Sequence, residues 1–168
     1  MKRILVASDT HGREQNLKKV IAQNPPFDAF IFCGDGNGLE QVAAKLLGPQ
    51  CTLYMVRGNN DYFSSLPDDL TFPLGKYRAF LTHGHLYGAG FSCRRMAEEA
   101  KEQGCQLCFY GHTHRPDKEE EDGVLCINPG SLSFPRQYNH KPSYLLIEQD
   151  NSGELHFHQA YLEETAAF

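Results

Sequence analysis

The chain has 168 residues, of which 40% are hydrophobic and 22% are charged, and its formal net charge is −5. This length fits one domain, so we expect a single domain over residues 1–168. The negative charge argues against a broad nucleic-acid surface and against a surface that binds anionic membranes. The apolar stretches are strand-length, and the N-terminus favours a first strand over a signal peptide, so we expect a cytoplasmic protein without membrane contact.

Hydrophobic periodicity and turn residues predict alternating strands and helices first, followed by a strand-rich remainder. In chain order we predict strand 4–7, helix 13–24, strand 27–33, helix 39–47, strand 52–56, hairpin strands 71–74 and 77–82, helix 91–103, strand 106–110, and strands 124–127, 143–148 and 154–161. This order predicts an α/β fold in which a mixed sheet, or two packed sheets, is covered by helices. The acidic run 119–122 is typical of a solvated hairpin tip.

The six cysteines do not indicate a disulfide framework, because no export signal accompanies them. Cys105 and Cys108 form a CxxC pair, but no second CxxC completes a zinc-binding set. If the strand 106–110 begins one residue earlier, at Cys105, the two side chains would point to opposite faces of the sheet. We therefore interpret them as small buried residues rather than as a redox pair or a zinc site.

Polar clusters that contain Asp, Asn or His follow the predicted strands, and glycines flank them. In α/β sheets, ligands bind outside the carboxyl ends of the strands, so these clusters could meet in space. The candidate metal ligands are Asp9, His11, Asp35, Asn59, His83, His112 and His114. Carboxylate, imidazole and amide ligands without thiolate suit Mn, Fe or Zn better than a structural zinc site. Taken singly, Asp9 could cap a helix, and Asp35 and Asn59 could be turn residues, but the ordered series favours a metal site.

The series Asp9-x-His11, Gly34-Asp35, Gly58-Asn59-Asn60-Asp61, His83-Gly84-His85 and Gly111-His112-x-His114 resembles the calcineurin-like metallophosphoesterases. The short length and the segment Asn128-Pro129-Gly130-Ser131 are similar to the small bacterial and archaeal phosphodiesterase branch of that superfamily. The resemblance runs from residue 4 to about residue 136. It implies a four-layer αββα sandwich, in which two mixed β-sheets are flanked by helices and a dinuclear metal site lies at the strand ends.

The resemblance also implies the role of each ligand. One metal would take Asp9, His11, Asp35 and His114, and the second would take Asp35, Asn59, His83 and His112. Asp35 would bridge the two cations, and a water between them would attack the phosphorus of a small phosphate ester. Mn is the favoured metal, with Fe, Zn, Ni and Mg as alternatives. The implied catalytic residues are Asp35, Asn59 and His85.

One position departs from the family pattern. Many members have a His directly after the metal-binding Asn, and that His can protonate the leaving oxygen, whereas this chain has Asn60. An amide cannot supply that proton, so His85 or a metal-bound water would have to replace it. Arg57 and Arg136 could contact phosphate, although structural ion pairs are commoner. His140, His156 and His158 fit no motif and are expected at the surface.

Three functions remain open at this point. The resemblance favours hydrolysis of phosphodiesters or activated phosphate esters. A phosphomonoesterase, including a protein phosphatase, is the alternative within the same class. The resemblance also extends to a eukaryotic retromer subunit that uses this fold mainly to bind partner proteins, but here all seven ligand positions are filled. The sequence neither requires nor excludes a homo-oligomer.

Overall fold

The computed structural model describes residues 1–163. Within that range the strands are β1 (Lys2–Ala7), β2 (Ala29–Phe32), β3 (Thr52–Met55), β4 (Asp69–Leu74), β5 (Tyr77–Thr82), β6 (Leu107–Phe109), β7 (Pro116–Glu121), β8 (Val124–Pro129), β9 (Ser143–Gln149) and β10 (Leu155–Tyr161). The α-helices are α1 (Gln15–Gln23), α2 (Ala43–Leu47) and α3 (Arg94–Glu102), and single 3₁₀ turns cover Leu39–Gln41 and His85–Tyr87. None of these helices has the length and apolarity to cross a membrane.

The strands form two mixed sheets of five strands each. The first sheet has the order β10-β9-β1-β2-β3, in which β1, β2 and β3 are parallel and β9 and β10 are antiparallel to their neighbours. The second has the order β4-β5-β6-β8-β7, in which β5, β6 and β8 are parallel and β4 and β7 form antiparallel edges. Each parallel run therefore presents the carboxyl ends of three strands at one edge of its sheet.

Alternation of side chains along each strand produces the layers. In β1, Ile4 and Val6 pack into the cluster between the two sheets, whereas Leu5 and Ala7 pack towards α1 and α2. In β6, Leu107 and Phe109 likewise enter the inter-sheet cluster, while Cys108 packs beneath α3. Helices therefore cover the outer face of each sheet, and the predicted four-layer αββα sandwich is confirmed.

Three details differ from the sequence-based prediction. Helix 39–47 is a 3₁₀ turn followed by the short α2, broken at Val42. The acidic run reaches a hairpin tip as predicted, but only Asp122 lies in the turn, because Glu119 to Glu121 belong to β7, an edge strand that the apolar pattern did not reveal. Cys105 precedes β6 instead of lying in it, so Cys105 and Cys108 both pack beneath α3 and do not point to opposite faces.

Candidate metal centre

The loops after five parallel strands bring the seven predicted ligands together. Asp9 and His11 follow β1, Asp35 follows β2, Asn59 follows β3, His83 follows β5, and His112 and His114 follow β6. Two overlapping groups have one ligand atom per residue within 4.8 Å of each other, and they are Asp9, His11 and His114, and Asp9, Asp35 and His83. Both sheets therefore contribute to one polar cluster at their carboxyl ends.

The first group centres on Asp9 Oδ1. His114 Nε2 lies 3.2 Å from this oxygen, and His11 Nε2 lies 3.7 Å from it. His11 Nε2 is also 3.2 Å from His114 Nε2 and 3.7 Å from Asp35 Oδ2. The two imidazoles and the two carboxylates thus point their polar atoms at one small volume.

The side chains predicted to hold the second cation lie on the other side of Asp35. His83 Nε2 is 3.4 Å from Asp35 Oδ2 and 3.0 Å from Asn59 Oδ1. His112 Nδ1 is 3.1 Å from the same Asn59 oxygen. Because Asp35 Oδ2 faces His11 on one side and His83 on the other, this carboxylate stands between the two groups.

Backbone carbonyls fix the tautomers of two histidines. His83 Nδ1 lies 2.6 Å from the Cys33 carbonyl, and His114 Nδ1 lies 2.8 Å from the Phe134 carbonyl. A carbonyl oxygen only accepts hydrogen bonds, so Nδ1 carries the proton in both rings. In the neutral ring, Nε2 then faces the cluster with a free lone pair, which is the form that binds a metal.

The electrostatics of the cluster suit cations. Asp9 is fully buried, and its Oδ1 has no hydrogen-bond partner among residues 1–163, although Oδ2 accepts from Ser8 Oγ and the His112 amide. Burial alone raises the pKa of Asp35, but the hydrogen bond and charge of His83 and the hydrogen bonds from Asn60 outweigh it and lower that pKa. An unpaired buried carboxylate oxygen is costly. The donor set therefore fits divalent cations.

The pKa of His83 moves the opposite way from those of its neighbours. Burial lowers the pKa of His83, but the hydrogen bond that its ring donates to Asp35 and the charges of Asp9 and Asp35 raise it above its usual value overall. For His112 and His85, burial and then the charge of His83 lower the pKa. The two buried carboxylates therefore favour positive charge at His83.

Asp61 is a supporting residue that the sequence did not reveal. Its carboxylate is 6% exposed and joins the loops after β2 and β3. Oδ2 accepts from the amides of Asp35 and Gly58, both at 2.8 Å, and from that of Gly36 at 3.4 Å, while Oδ1 accepts from that of Asn37 at 2.7 Å. The two loops that present Asp35 and Asn59 are held together by this one side chain.

Asn128 does the same for the loop that carries His112 and His114. The side chain is fully buried, and Nδ2 donates to the Gly111 carbonyl at 2.9 Å and to Thr113 Oγ1 at 3.0 Å. Asn128 Oδ1 accepts from the Gly130 amide at 2.9 Å. The Asn-Pro-Gly sequence predicted a turn here, but not the contact with the His112 loop.

Asn60 and His85 occupy defined places beside the cluster. The Asn60 backbone amide and Nδ2 donate to Asp35 Oδ1 and Oδ2, both at 2.8 Å. The His85 ring lies 5.4 Å from that of His83 and 6.3 Å from that of His112, and its buried Nδ1 has no partner in the described part of the chain. His85 therefore lies next to the predicted second metal position.

The two arginines and three histidines that were considered outside the ligand set differ in their surroundings. Arg57 pairs with Asp68 through an Nε–Oδ1 contact of 2.7 Å, so the structural ion pair expected for it is present. Arg136 lines a cavity beside His11 and His114. The three histidines outside the motifs are exposed as predicted, and they are His140, His156 and His158.

The backbone of several candidate ligands lies in the left-handed region, with positive φ. Five non-glycine ligands have positive φ, and they are Asp9 (56°), His11 (46°), Asp35 (58°), His112 (70°) and His114 (59°). Neighbouring glycines are required for close approach. A Cβ at Gly58 would overlap the Asp35 carboxylate, and one at Gly111 would overlap the Ser8 hydroxyl.

Known proteins resemble this chain over nearly its whole length. A probable metallophosphoesterase of Bacillus subtilis, YsnB, is 31% identical over 149 residues, covering 88% of this chain and 85% of that protein. The phosphodiesterase YfcE of Escherichia coli is 30% identical, covering 89% of each chain. Each alignment therefore spans most of this chain and most of the relative.

Solved structures share the fold. A conserved uncharacterised protein from Streptococcus pneumoniae, described as a predicted phosphoesterase, superposes with a TM-score of 0.75 at 29% identity, covering 95% of this chain and 89% of its own. Vps29 from Entamoeba histolytica, solved in complex with Zn²⁺, has a TM-score of 0.72 at 20% identity, covering 95% and 98%. At that identity the second likeness concerns the fold alone.

The family model described as the calcineurin-like phosphoesterase superfamily domain matches residues 1–152. That span includes β1 to β9 and every candidate ligand. It thus agrees with both the αββα layers and the cluster at the strand ends. The chain belongs to the calcineurin-like phosphoesterase superfamily.

Proposed function

We propose that this protein hydrolyses phosphodiesters or activated phosphate esters with two divalent cations, of which Mn²⁺ is the favoured choice. The observation that carries this proposal is the buried Asp9 Oδ1. It has no hydrogen-bond partner in the described chain, and His114 and His11 direct Nε2 atoms towards it. A structural role would leave that oxygen uncompensated, whereas a cation satisfies it.

The residues divide between two cation positions. Asp9, His11 and His114 would hold one, and Asn59, His83 and His112 would hold the other, with Asp35 shared. When both cations are bound, they supply the Lewis-acid charge that lowers the pKa of a water and neutralises the phosphate. Asp9 and Asp35 offset only half of the charge of two divalent cations, so the site stays positive towards a phosphate ester.

Several residues would orient these ligands. Asn60 donates two hydrogen bonds to Asp35, which fixes the plane of the shared carboxylate. An amide has no proton to give to a leaving alkoxide, so Asn60 does not act as the general acid. His85, whose Nδ1 has no partner among residues 1–163 and whose ring lies 5.4 Å from that of His83, is the donor that a weak leaving-group dependence would indicate. Turnover should therefore depend strongly on how well the leaving group departs without help.

The test is metal removal followed by a substrate panel. We expect chelation to abolish turnover of bis(4-nitrophenyl) phosphate reversibly, because the chain supplies no nucleophile of its own. Mn²⁺ should restore the rate best, and the diester should be cleaved faster than 4-nitrophenyl phosphate. Asp35→Asn, purified identically, controls for contaminating phosphatases. Undiminished turnover in the metal-free protein would end the proposal, and a preference for the monoester would favour a phosphomonoesterase.

The rival function is a protein-binding scaffold with the same fold. A scaffold has no need of a complete ligand set, yet all seven positions are filled and brought together here. This completeness supports the enzyme. Two bound cations with no turnover of any mono- or diester would favour the scaffold.

A further inference from the structure

A cavity of about 480 Å³ opens directly beside the first group of ligands. It is lined by His11, His114, Phe134, Pro135 and Arg136. Another cavity, of about 370 Å³ and lined by residues from Asn37 to Ser64, contains none of the seven candidate ligands. A substituent on a phosphate at the metal centre would reach the first cavity without leaving the cluster.

Hydrogen bonds hold the Phe134 wall of this cavity against the metal centre. Ser131 Oγ donates to the Asp9 carbonyl at 2.8 Å and accepts from the Phe134 amide at 2.9 Å. The Phe134 carbonyl accepts from His114 Nδ1 at 2.8 Å, and the Arg136 amide donates to the His114 carbonyl at 3.0 Å. The position of the Phe134 ring is therefore fixed relative to two metal ligands.

The Phe134 ring is arranged as a stacking surface. The Arg13 guanidinium carbon lies 4.4 Å from its centroid, and the His11 ring meets it edge-on with centroids 5.4 Å apart. These contacts orient the ring, and Phe134 remains 38% exposed. Arg136 also lines the cavity, so a basic residue borders it in addition to Arg13 on the Phe134 ring. Guanidinium planes and aromatic faces both bind flat π-systems, and positive charge favours an anionic ester.

We propose that this cavity binds a planar aromatic substituent, such as a nucleobase, on the phosphate ester that the metal centre cleaves. The inference rests on the proposed function and specifies its substrate class. An alkyl substituent would fill the same space without stacking on Phe134. We assign the cavity to the substituent that is retained in the product, so that the leaving group would depart outside the cavity, in line with the attacking water.

The test compares two diesters with the same leaving group. Thymidine 5′-(4-nitrophenyl) phosphate and methyl 4-nitrophenyl phosphate both release nitrophenol, so the ratio of their kcat/KM values reports the retained substituent. We expect the thymidine ester to be preferred by about fivefold or more, since stacking of a base on an aromatic side chain is worth at least that factor. Phe134→Leu should reduce the ratio to about threefold or less, because it removes the aromatic face.

Phe91→Leu is the matched control, because Phe91 is 99% exposed and lies outside the cavity, and it should leave the ratio unchanged. Calorimetric titration with thymidine 5′-monophosphate and methyl phosphate gives a reading that needs no turnover. The nucleotide should bind more tightly by about fivefold or more, and by less in Phe134→Leu. Metal-dependent cleavage of both diesters at equal rates would overturn this inference and leave the proposed function intact. Cleavage of neither diester would overturn both.

Discussion

Asp61 provides the sharpest test of how the metal centre is supported. Asp61→Asn keeps the shape of the side chain but replaces one acceptor oxygen with an NH₂ group. In the native protein, Oδ2 serves the amides of Asp35 and Gly58, and Oδ1 serves that of Asn37. The best orientation of the new amide keeps its oxygen at the Oδ2 position and turns NH₂ towards the Asn37 amide. The partly buried Asn37 amide is then unpaired, and the two hydrogen bonds at Oδ2 lose their charge assistance.

The magnitude follows from these contacts. The Asn37 donor is only partly buried, so leaving it unsatisfied costs about 1 kcal/mol, the low end of the usual range. Each of the two hydrogen bonds at Oδ2 is weaker by about 1 kcal/mol when the acceptor is neutral. We expect the free energy of unfolding to fall by about 2–4 kcal/mol. For a domain of this size that corresponds to a decrease in Tm of roughly 4–16 °C. Metal affinity should fall roughly 10–100-fold, the usual effect of losing a residue that orients metal ligands.

The assay combines thermal unfolding of the metal-free protein with metal titration well below Tm. Asp68→Asn is the matched control. The Asp68 side chain is 41% exposed, and within residues 1–163 its carboxylate accepts hydrogen bonds from Arg57, which is not a candidate metal ligand. An exposed pair of this kind contributes about 0–1 kcal/mol, so this variant should stay close to the native Tm and affinity. If Asp61→Asn has native stability and metal affinity, the carboxylate does not hold the two loops together.

Three further predictions address the shared ligand, the supporting residue Asn128 and the proton donor. Asp35→Asn should lose bound metal, measured by elemental analysis, together with nearly all turnover, while circular dichroism stays native; two metals per chain at near-native rate would exclude a shared carboxylate. Asn128→Ala should lower the free energy of unfolding by about 1–3 kcal/mol, because the Gly111 carbonyl loses its buried donor, and calorimetry would refute this by an unchanged Tm. Across a series of aryl and alkyl diesters, log kcat should fall steeply as the leaving-group pKa rises, since a general acid supplies about 10²–10⁴-fold. Asn60→His should flatten that series; a flat native series would instead indicate another donor, and His85→Ala would then restore the steep dependence.

The sequence predicts the layers and the ligand loops because both depend on local pattern. Apolar runs such as 4–7 and 29–32 identify buried strands, and the polar residues after them mark the strand ends. Edge strand β7 could not be found in this way, since it is mostly charged and owes its conformation to pairing with β8. Similarly, the break at Val42 could not be predicted, because residues 39–47 contain neither Gly nor Pro.

The supporting contacts of the site could not be predicted, because they join residues that are far apart in the chain. Asp61 bonds amides 24–26 residues away, and Ser131 bonds a carbonyl 122 residues away. No periodicity connects such positions. Phe134 has no metal-binding chemistry of its own and is placed beside His11 only by the loop that Ser131 anchors. The supporting role of Asp61 and the position of Phe134 beside the metal centre could therefore be identified only from the three-dimensional structure.

The left-handed backbone at five ligands has a consequence for protein engineering. Each such non-glycine residue costs about 1–2 kcal/mol in an unsupported chain, although Asp and His tolerate this region better than most residues. A scaffold that matched only the side-chain positions of Asp9, Asp35 and His112 would relax to right-handed φ values and disperse the donors. Transplanting this centre therefore requires the strand-end loops as intact backbone units, together with Asp61 and Asn128, whose hydrogen bonds keep those loops in their strained form.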